Sequence, residues 1–252
     1  MAFGRRIGAL VDAALAFCAP CGAQAQVTTL DGDGETRMLL FSGRDLWRSG
    51  IFGHGGLLFA PGGVDQDGFN LKIVMSGGVY RYTGGANSGD PPGQLAGWNI
   101  LGVENALQVM PGFRVKRGAL EAKVFFGLDL EYHWLWPDDV TNHLRGRSLG
   151  LRFAGEIWYE PTPTSMVAAD ASLSSVGNHS ARFAVGWRVF DRFYFGPETQ
   201  VYGADGYRQY RIGAHFTALK TGATEWVAAC GWGRESSGLS TPYARLGIVT
   251  RH

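Results

Sequence analysis

Residues 180–219 read SARFAVGWRVFDRFYFGPETQVYGADGYRQYRIGAHFTAL, and their alternation decides the fold. Ala181, Phe183, Val185, Trp187 and Val189 are apolar, while Arg182, Ala184, Gly186 and Arg188 between them are charged or small. Asp191 marks a tight reversal. Phe193, Phe195, Pro197, Thr199 and Val201 then oppose Arg192, Tyr194, Glu198 and Gln200. After Gly203-Ala204-Asp205-Gly206, the set Tyr210, Ile212, Ala214, Phe216 and Ala218 opposes Arg211, Gly213, His215 and Thr217. Side chains alternate faces along a strand, so three successive strands each carry one apolar and one polar face. Strands of about ten residues with this dyad pattern fit a closed barrel with lipid outside and a polar lumen.

Working outward, the same pattern predicts strands near residues 38–48, 50–60, 69–82, 102–115, 119–132, 148–160, 164–176, 223–234 and 240–251. The expected fold is all-β: a closed antiparallel transmembrane β-barrel of about 12 strands over residues 37–252. Pro111-Gly112 falls inside the fourth strand. Links at 116–118, 161–163, 190–191 and 220–222 are short, and those at 83–100, 133–147, 176–179 and 234–239 mostly longer. Such barrels alternate short periplasmic turns with longer external loops, and an even strand count puts both termini on the periplasmic side.

Composition agrees. The chain has 38 glycines and 13% aromatic residues in 252, which suits β-structure whose small residues relieve crowding inside a barrel. A net charge of +1 gives no electrostatic basis for binding nucleic acid. No apolar run approaches the roughly 20 residues of a membrane helix. Residues 1–25 read as an export signal: Arg5 and Arg6, an apolar run from 7 to 19, and Ala23-Gln24-Ala25 for cleavage. Residues 26–36 form a flexible lead-in. Cys18 and Cys21 fall inside the signal, leaving Cys230 alone in the mature chain.

The inward face carries Lys72, Glu121, Lys123, Asp129, Glu131, Arg152, Glu156, Asp170, Arg182, Arg188, Arg192, Glu198, Arg211, Glu225 and Arg245, with His215 beside them. Two readings stand: a polar conduit, or a plug of cross-strand ion pairs that closes a narrow lumen. A lumen-facing aspartate at Ala184 is expected to be tolerated better than one at Phe183 or Val185. Tyr132, Trp134, Trp136, Asp138, Asp139, Asn142 and Arg145 in the 132–147 loop are candidates for glucan contact, since sugar rings bury their C–H faces on aromatics. The alternative is an interfacial aromatic girdle. Asp138 and Asp139 do not fit a glycosidase pair, whose carboxylates face each other about 5–9 Å apart. His54, His133, His143, His179 and His215 are scattered, no G-x-S-x-G elbow is present, and no spacing suggests a metal or cofactor. No catalytic residue is assigned.

Five stretches stand out along the chain: LFSGRDLWRSG (40–50), LWPDDVTNHLRG (135–146), EIWYEPTPTSMVAAD (156–170), WRVFDRFYFGPE (187–198) and YRQYRIGAHFTALKTG (207–222). In these the chain resembles the BcsS family of bacterial cellulose biosynthesis proteins. The resemblance implies an exported, non-enzymatic outer-membrane accessory or scaffold of cellulose production in Gram-negative bacteria. Its partners would be outer-membrane lipid, the glucan chain and components of the cellulose synthase complex. The alternatives are a small-solute or oligosaccharide channel and a barrel-embedded lipid or glucan hydrolase.

Overall fold

The computed structural model describes residues 36–84, 95, 97–204 and 206–252. The export signal, nearly all of the lead-in, and Cys18 and Cys21 lie outside the described residues. The rest forms twelve strands: β1 (Met38–Trp47), β2 (Gly50–Phe59), β3 (Gly68–Thr83), β4 (Asn99–Arg117), β5 (Leu120–Trp136), β6 (Gly146–Thr162), β7 (Ser165–Ser174), β8 (His179–Val189), β9 (Phe193–Ala204), β10 (Tyr207–Thr221), β11 (Thr224–Glu235) and β12 (Ser240–Arg251). Each pairs antiparallel with its sequence neighbours, and β1 pairs with β12 from Leu39↔Arg251 to Trp47↔Tyr243 to close the barrel. Lipid offers backbone groups no hydrogen bonds, so a sheet can cross it only when closed.

The alternation fixes which side faces lipid. On β5, Leu128 is 53% exposed and Asp129 beside it 0%. Leu151, Phe153, Phe183, Phe195 and Ile212 continue the exposed apolar band. Exposed Tyr132, Trp134, Trp136, Tyr159, Phe190 and Trp232 lie towards the strand ends, as aromatic girdles do.

Four local readings change. β4 runs through Pro111 unbroken. Its pairing with β5 lapses between Val109↔Leu128 and Gly112↔Phe125, then resumes in the same register. Gly127 permits this, because a Cβ there would meet the backbone of Val109 and Met110. Second, β5 continues to Trp136 and β6 begins at Gly146, so the predicted 133–147 loop shrinks to 137–145. Third, a bulge on β10 between Phe216 and Leu219 turns Ala218 inward at φ 63°, against the expected outward facing. Fourth, links 48–49 and 205–206 are short and 60–67 is long, so the expected alternation of link lengths holds only in part.

The largest correction concerns the lumen. It is not polar throughout. At the end where Met38 and His252 exchange backbone hydrogen bonds, the termini end, it is packed with apolar side chains. One cluster holds Leu39, Phe41, Leu58, Met110, Phe125 and Val249. A second holds Trp158, Met166, Ala168, Ala184, Tyr194 and Ala218. Ala184 is 0% exposed in this floor, so the tolerance expected for an inward aspartate there does not follow.

Leu128→Arg, at the middle of the lipid-facing side of β5, is expected to destabilise the folded barrel by about 2–4 kcal/mol. Ala184→Asp, which buries a carboxylate in the apolar floor, is expected to cost a comparable amount. Urea unfolding in vesicles measures both. A neutral Ala184→Asp would mean the floor is hydrated.

Candidate functional site

Among and above these apolar clusters, ions from many strands meet inside the barrel. Glu198 on β9 receives Arg182 Nε at 2.9 Å and Arg245 Nη2 of β12 at 2.7 Å on one oxygen. The other oxygen accepts from Tyr243 at 3.1 Å and Gln200 at 2.6 Å. Asp170 of β7 faces the same Arg182 at 3.5 Å. Lys72 of β3 reaches Glu156 of β6 at 2.5 Å, and Lys123 bridges Glu156 and Glu121. Arg114 joins Glu121 at 2.8 Å. Arg152 binds Asp129 and Glu131, with Ser172 on its Nη1 and Asn178 on Glu131. Arg211 of β10 makes a two-oxygen contact with Asp45 of β1 at 2.8 and 2.7 Å.

Lys72–Glu156, Arg245–Glu198 and Arg211–Asp45 join strands that are not neighbours. They therefore span the lumen rather than running along its wall. All six partners are buried. A charge held away from water needs a partner, and these ions provide it for one another.

The sequence-predicted lumen set thus comes together, with two exceptions. Arg188 lies at the termini end, where it donates to Tyr194 Oη at 2.7 Å and covers its ring. Arg192 is exposed in the 190–192 turn rather than inside. His215 is buried with Nε2 3.2 Å from the Val185 carbonyl, while its Nδ1 has no hydrogen-bond partner.

At the other end of the barrel, the loop end, the lumen widens into a cup of about 860 Å³. Its base is the Arg211–Asp45 pair. The Arg211 guanidinium lies 5.1 Å from the Trp47 ring centroid, 4.7 Å from Tyr202 and 4.9 Å from Tyr243. Along the wall, Trp47 stacks on Phe52 at 5.0 Å, Phe52 on Tyr80 at 6.1 Å, and Tyr80 on Tyr82 at 6.1 Å. Glu104, His133, Asn178, Tyr207, Gln209 and Glu235 complete the polar lining. Tyr80 Oη meets His133 Nδ1 at 3.1 Å. Trp47 meets the Tyr207 hydroxyl, while Gln209 Nε2 and Glu235 Oε1 are buried without a hydrogen-bond partner among the described residues. Buried polar groups are normally satisfied, so these call for water or a polar ligand.

The candidate glucan-contact residues separate. Tyr132, Trp134 and Trp136 point outward on β5, with Arg147 over the Tyr132 ring at 6.0 Å. Trp136 also reaches the rim of the cup with Asn142. Asp138 pairs with Arg145 at 2.5 Å in the 137–145 loop. Asp139 is buried: its carboxylate accepts from Tyr82 Oη at 2.8 Å and Thr141 Oγ1 at 2.7 Å, and Asn142 donates to Tyr82 at 3.0 Å. Burial opposes the ionisation of Asp139, yet the hydrogen bonds from Thr141 and Tyr82 hold its carboxyl below the usual range. Tyr82 thereby ties this loop to the wall of the cup. Sequence reading missed the aromatic column and Asp45, because β1 and β2 carry apolar residues on both faces. Arg48, Ser49 and Gly50, a hairpin link beside Trp47, were the available signal that this column sits at a rim.

The family model for cellulose biosynthesis protein BcsS matches residues 39–252, the whole barrel. The chain belongs to the BcsS family. No curated protein shows significant similarity to it. Among solved structures, this BcsS-family barrel is similar to a TodX deltaS2S3 mutant, a monoaromatic hydrocarbon channel. That match has 7% identity and a TM-score of 0.52, and covers 86% of this chain and 90% of the other. It is also similar to the KdgM porin, at 10% identity and TM-score 0.45, covering 84% and 98%. The Pseudomonas putida toluene transporter TodX aligns at 8% identity and TM-score 0.48, covering 85% and 89%. At 7% identity the likeness to the TodX mutant is one of fold alone. The family ties the chain to cellulose biosynthesis.

Glu198→Ala is expected to cost about 3–5 kcal/mol, since Arg245 would stay buried without its carboxylate. Glu198→Leu with Arg245→Met removes both charges and is expected to recover most of that loss. Unfolding free energies from a urea titration measure the cycle. Equal losses in the single and double variants would mean that the pair is not what holds this region.

Proposed function

We propose that the protein is a non-enzymatic outer-membrane accessory component of bacterial cellulose biosynthesis, with the cup facing the cell exterior and receiving glucan. The observation that supports this reading is the occupied lumen, in which ion pairs between non-adjacent strands lie among and above apolar clusters. A polymer conduit needs a continuous polar path, and side chains occupy that path here. What remains open is a surface cup. Its aromatic edges, carboxylates, amides and unpartnered polar atoms suit the hydroxyls and C–H faces of a sugar ring. The 137–145 loop, held at its rim by Tyr82, adds Asn142, Asp138, Asp139 and Arg145 to the approach, with Trp136 beside them. Tyr132 and Trp134 serve the lipid interface instead. The component would act on cellulose production by holding the emerging chain or a part of the synthase complex at the outer membrane.

In a strain lacking this chain, surface cellulose is expected to fall and wild-type protein to restore it. A Tyr207→Phe/Gln209→Ala variant that still inserts should restore less. The purified variant should bind cello-oligosaccharide several-fold more weakly by titration calorimetry, with two hydrogen-bonding groups removed from the cup. Unchanged binding and full restoration by the variant would remove the cup from the function.

A further inference from the structure

The outer wall carries a charge pattern that the lumen and the cup do not use. Near the loop end, Arg44, Arg81, Arg147, Arg208 and Arg234 are all exposed on strands. Strand phase sets their direction. Arg81 stands between Tyr80 and Tyr82, whose rings stack inside the cup, so it points outward. Arg208 shares its face with exposed Tyr210 and Ile212, and Arg234 shares its face with exposed Trp232. Arg44 lies between exposed Leu40 and Leu46 on the lipid side of β1.

Four of the five form an arc across the barrel seam. Tyr210 pairs with Arg234, and Ser236 N donates to the Arg208 carbonyl, so Arg208 and Arg234 occupy neighbouring strand ends. β12 and β1 follow with Arg44, and Arg81 N donates to Ser49 in the β1–β2 link.

None of these arginines forms an ion pair among the described residues. The acids at the same strand ends, Asp45, Glu104, Glu131 and Glu235, are buried on the inward side. The termini end differs: there Arg117 pairs with Asp67 and Arg251 with Asp65. Among the described residues, the loop end therefore shows outward cations with no protein counter-charge, beside an aromatic girdle.

A guanidinium on a lipid-facing wall is costly unless it reaches an anion at the interface. Its planar fork matches phosphate oxygens two at a time. We propose that the arc of Arg44, Arg81, Arg208 and Arg234 binds the phosphate groups of the outer-leaflet glycolipid, seating a bisphosphorylated lipid A headgroup against β10, β11, β1 and β3. This rests on the outer-membrane reading with the loop end outward. It adds a fixed lipid contact across the β1–β12 seam.

The test uses purified full-length protein refolded in detergent and fluorescent lipid A in two forms, bisphosphorylated and enzymatically dephosphorylated. Wild type is expected to bind the bisphosphorylated form at least about tenfold more tightly, each arginine near an anionic headgroup adding of order 1 kcal/mol. Arg81→Gln/Arg208→Gln/Arg234→Gln is expected to lose that preference, while Arg192→Gln/Lys220→Gln at the termini end keeps it. A heat-dependent mobility shift on a gel confirms that each variant is folded. Equal binding of the two lipid forms by wild type would overturn the proposal, whether or not the triple variant folds. So would an undiminished preference in the folded triple variant. Cell fractionation tests the location separately: folded protein absent from the outer membrane would end the outer-membrane reading, while the phosphate preference is decided by the binding arms alone.

Discussion

Everything in this barrel depends on closure in a solvent that cannot hydrogen-bond. Each strand crossing hydrocarbon must give its N–H and C=O groups to a neighbour, and the β1–β12 seam removes the last free edge. Closure then encloses a second problem. Side chains buried on the inner face are cut off from bulk water. The inner ions answer by pairing, along the wall as Arg182 does with Glu198 and across the lumen as Arg245 does with the same carboxylate. The apolar clusters answer by packing against each other at the termini end. Ion pairs and apolar clusters thus occupy the inner face, and the described residues form a cup at the loop end.

The fold was legible because lipid and lumen impose opposite demands on adjacent residues. Leu128 next to Asp129, or Phe183 next to Arg182, states the facing directly. The inward ions from Glu121 to Arg245 were legible for the same reason. What alternation could not convey is what an inward residue meets. Ala184 and Met166 read as small or apolar residues on a polar side, and only the closed barrel brings them together with Trp158 and Tyr194 as a floor. Nor could it show distance across the lumen. Lys72 and Glu156 are 84 positions apart and three strands away. β1 hid its role because Leu39 and Phe41 are as apolar as Leu40, so Asp45 and Trp47 gave no clear phase. The boundary of β5 was misread because His133, Trp134 and Trp136 look like loop residues, yet they keep the two-residue period to the end of the strand.

The candidate site was legible only in part. The sequence drew attention to the aromatic and acidic residues of 132–147, and the structure disperses them: tryptophans to the outer wall, Asp139 under Tyr82, Asp138 to Arg145. The concave surface is instead built by residues of many strands, with the aromatic column on β1–β3 and polar groups such as Glu104 of β4, His133 of β5 and Gln209 of β10. Trp47, Phe52, Tyr80 and Tyr82 come from three strands, and each lacks local context that would mark it as part of a column. The proposal of a component that holds glucan rests on this cup and on the ion pairs and apolar clusters beneath it, within a family tied to cellulose biosynthesis.

The central claim is that the lumen is a packed core. Its most direct test is conductance of the purified protein in planar lipid bilayers, with insertion verified by the heat-dependent gel shift of protein recovered from the membrane. The account expects no discrete conductance steps above the bare bilayer. Ohmic steps that cello-oligosaccharides block would contradict it and make the barrel a channel.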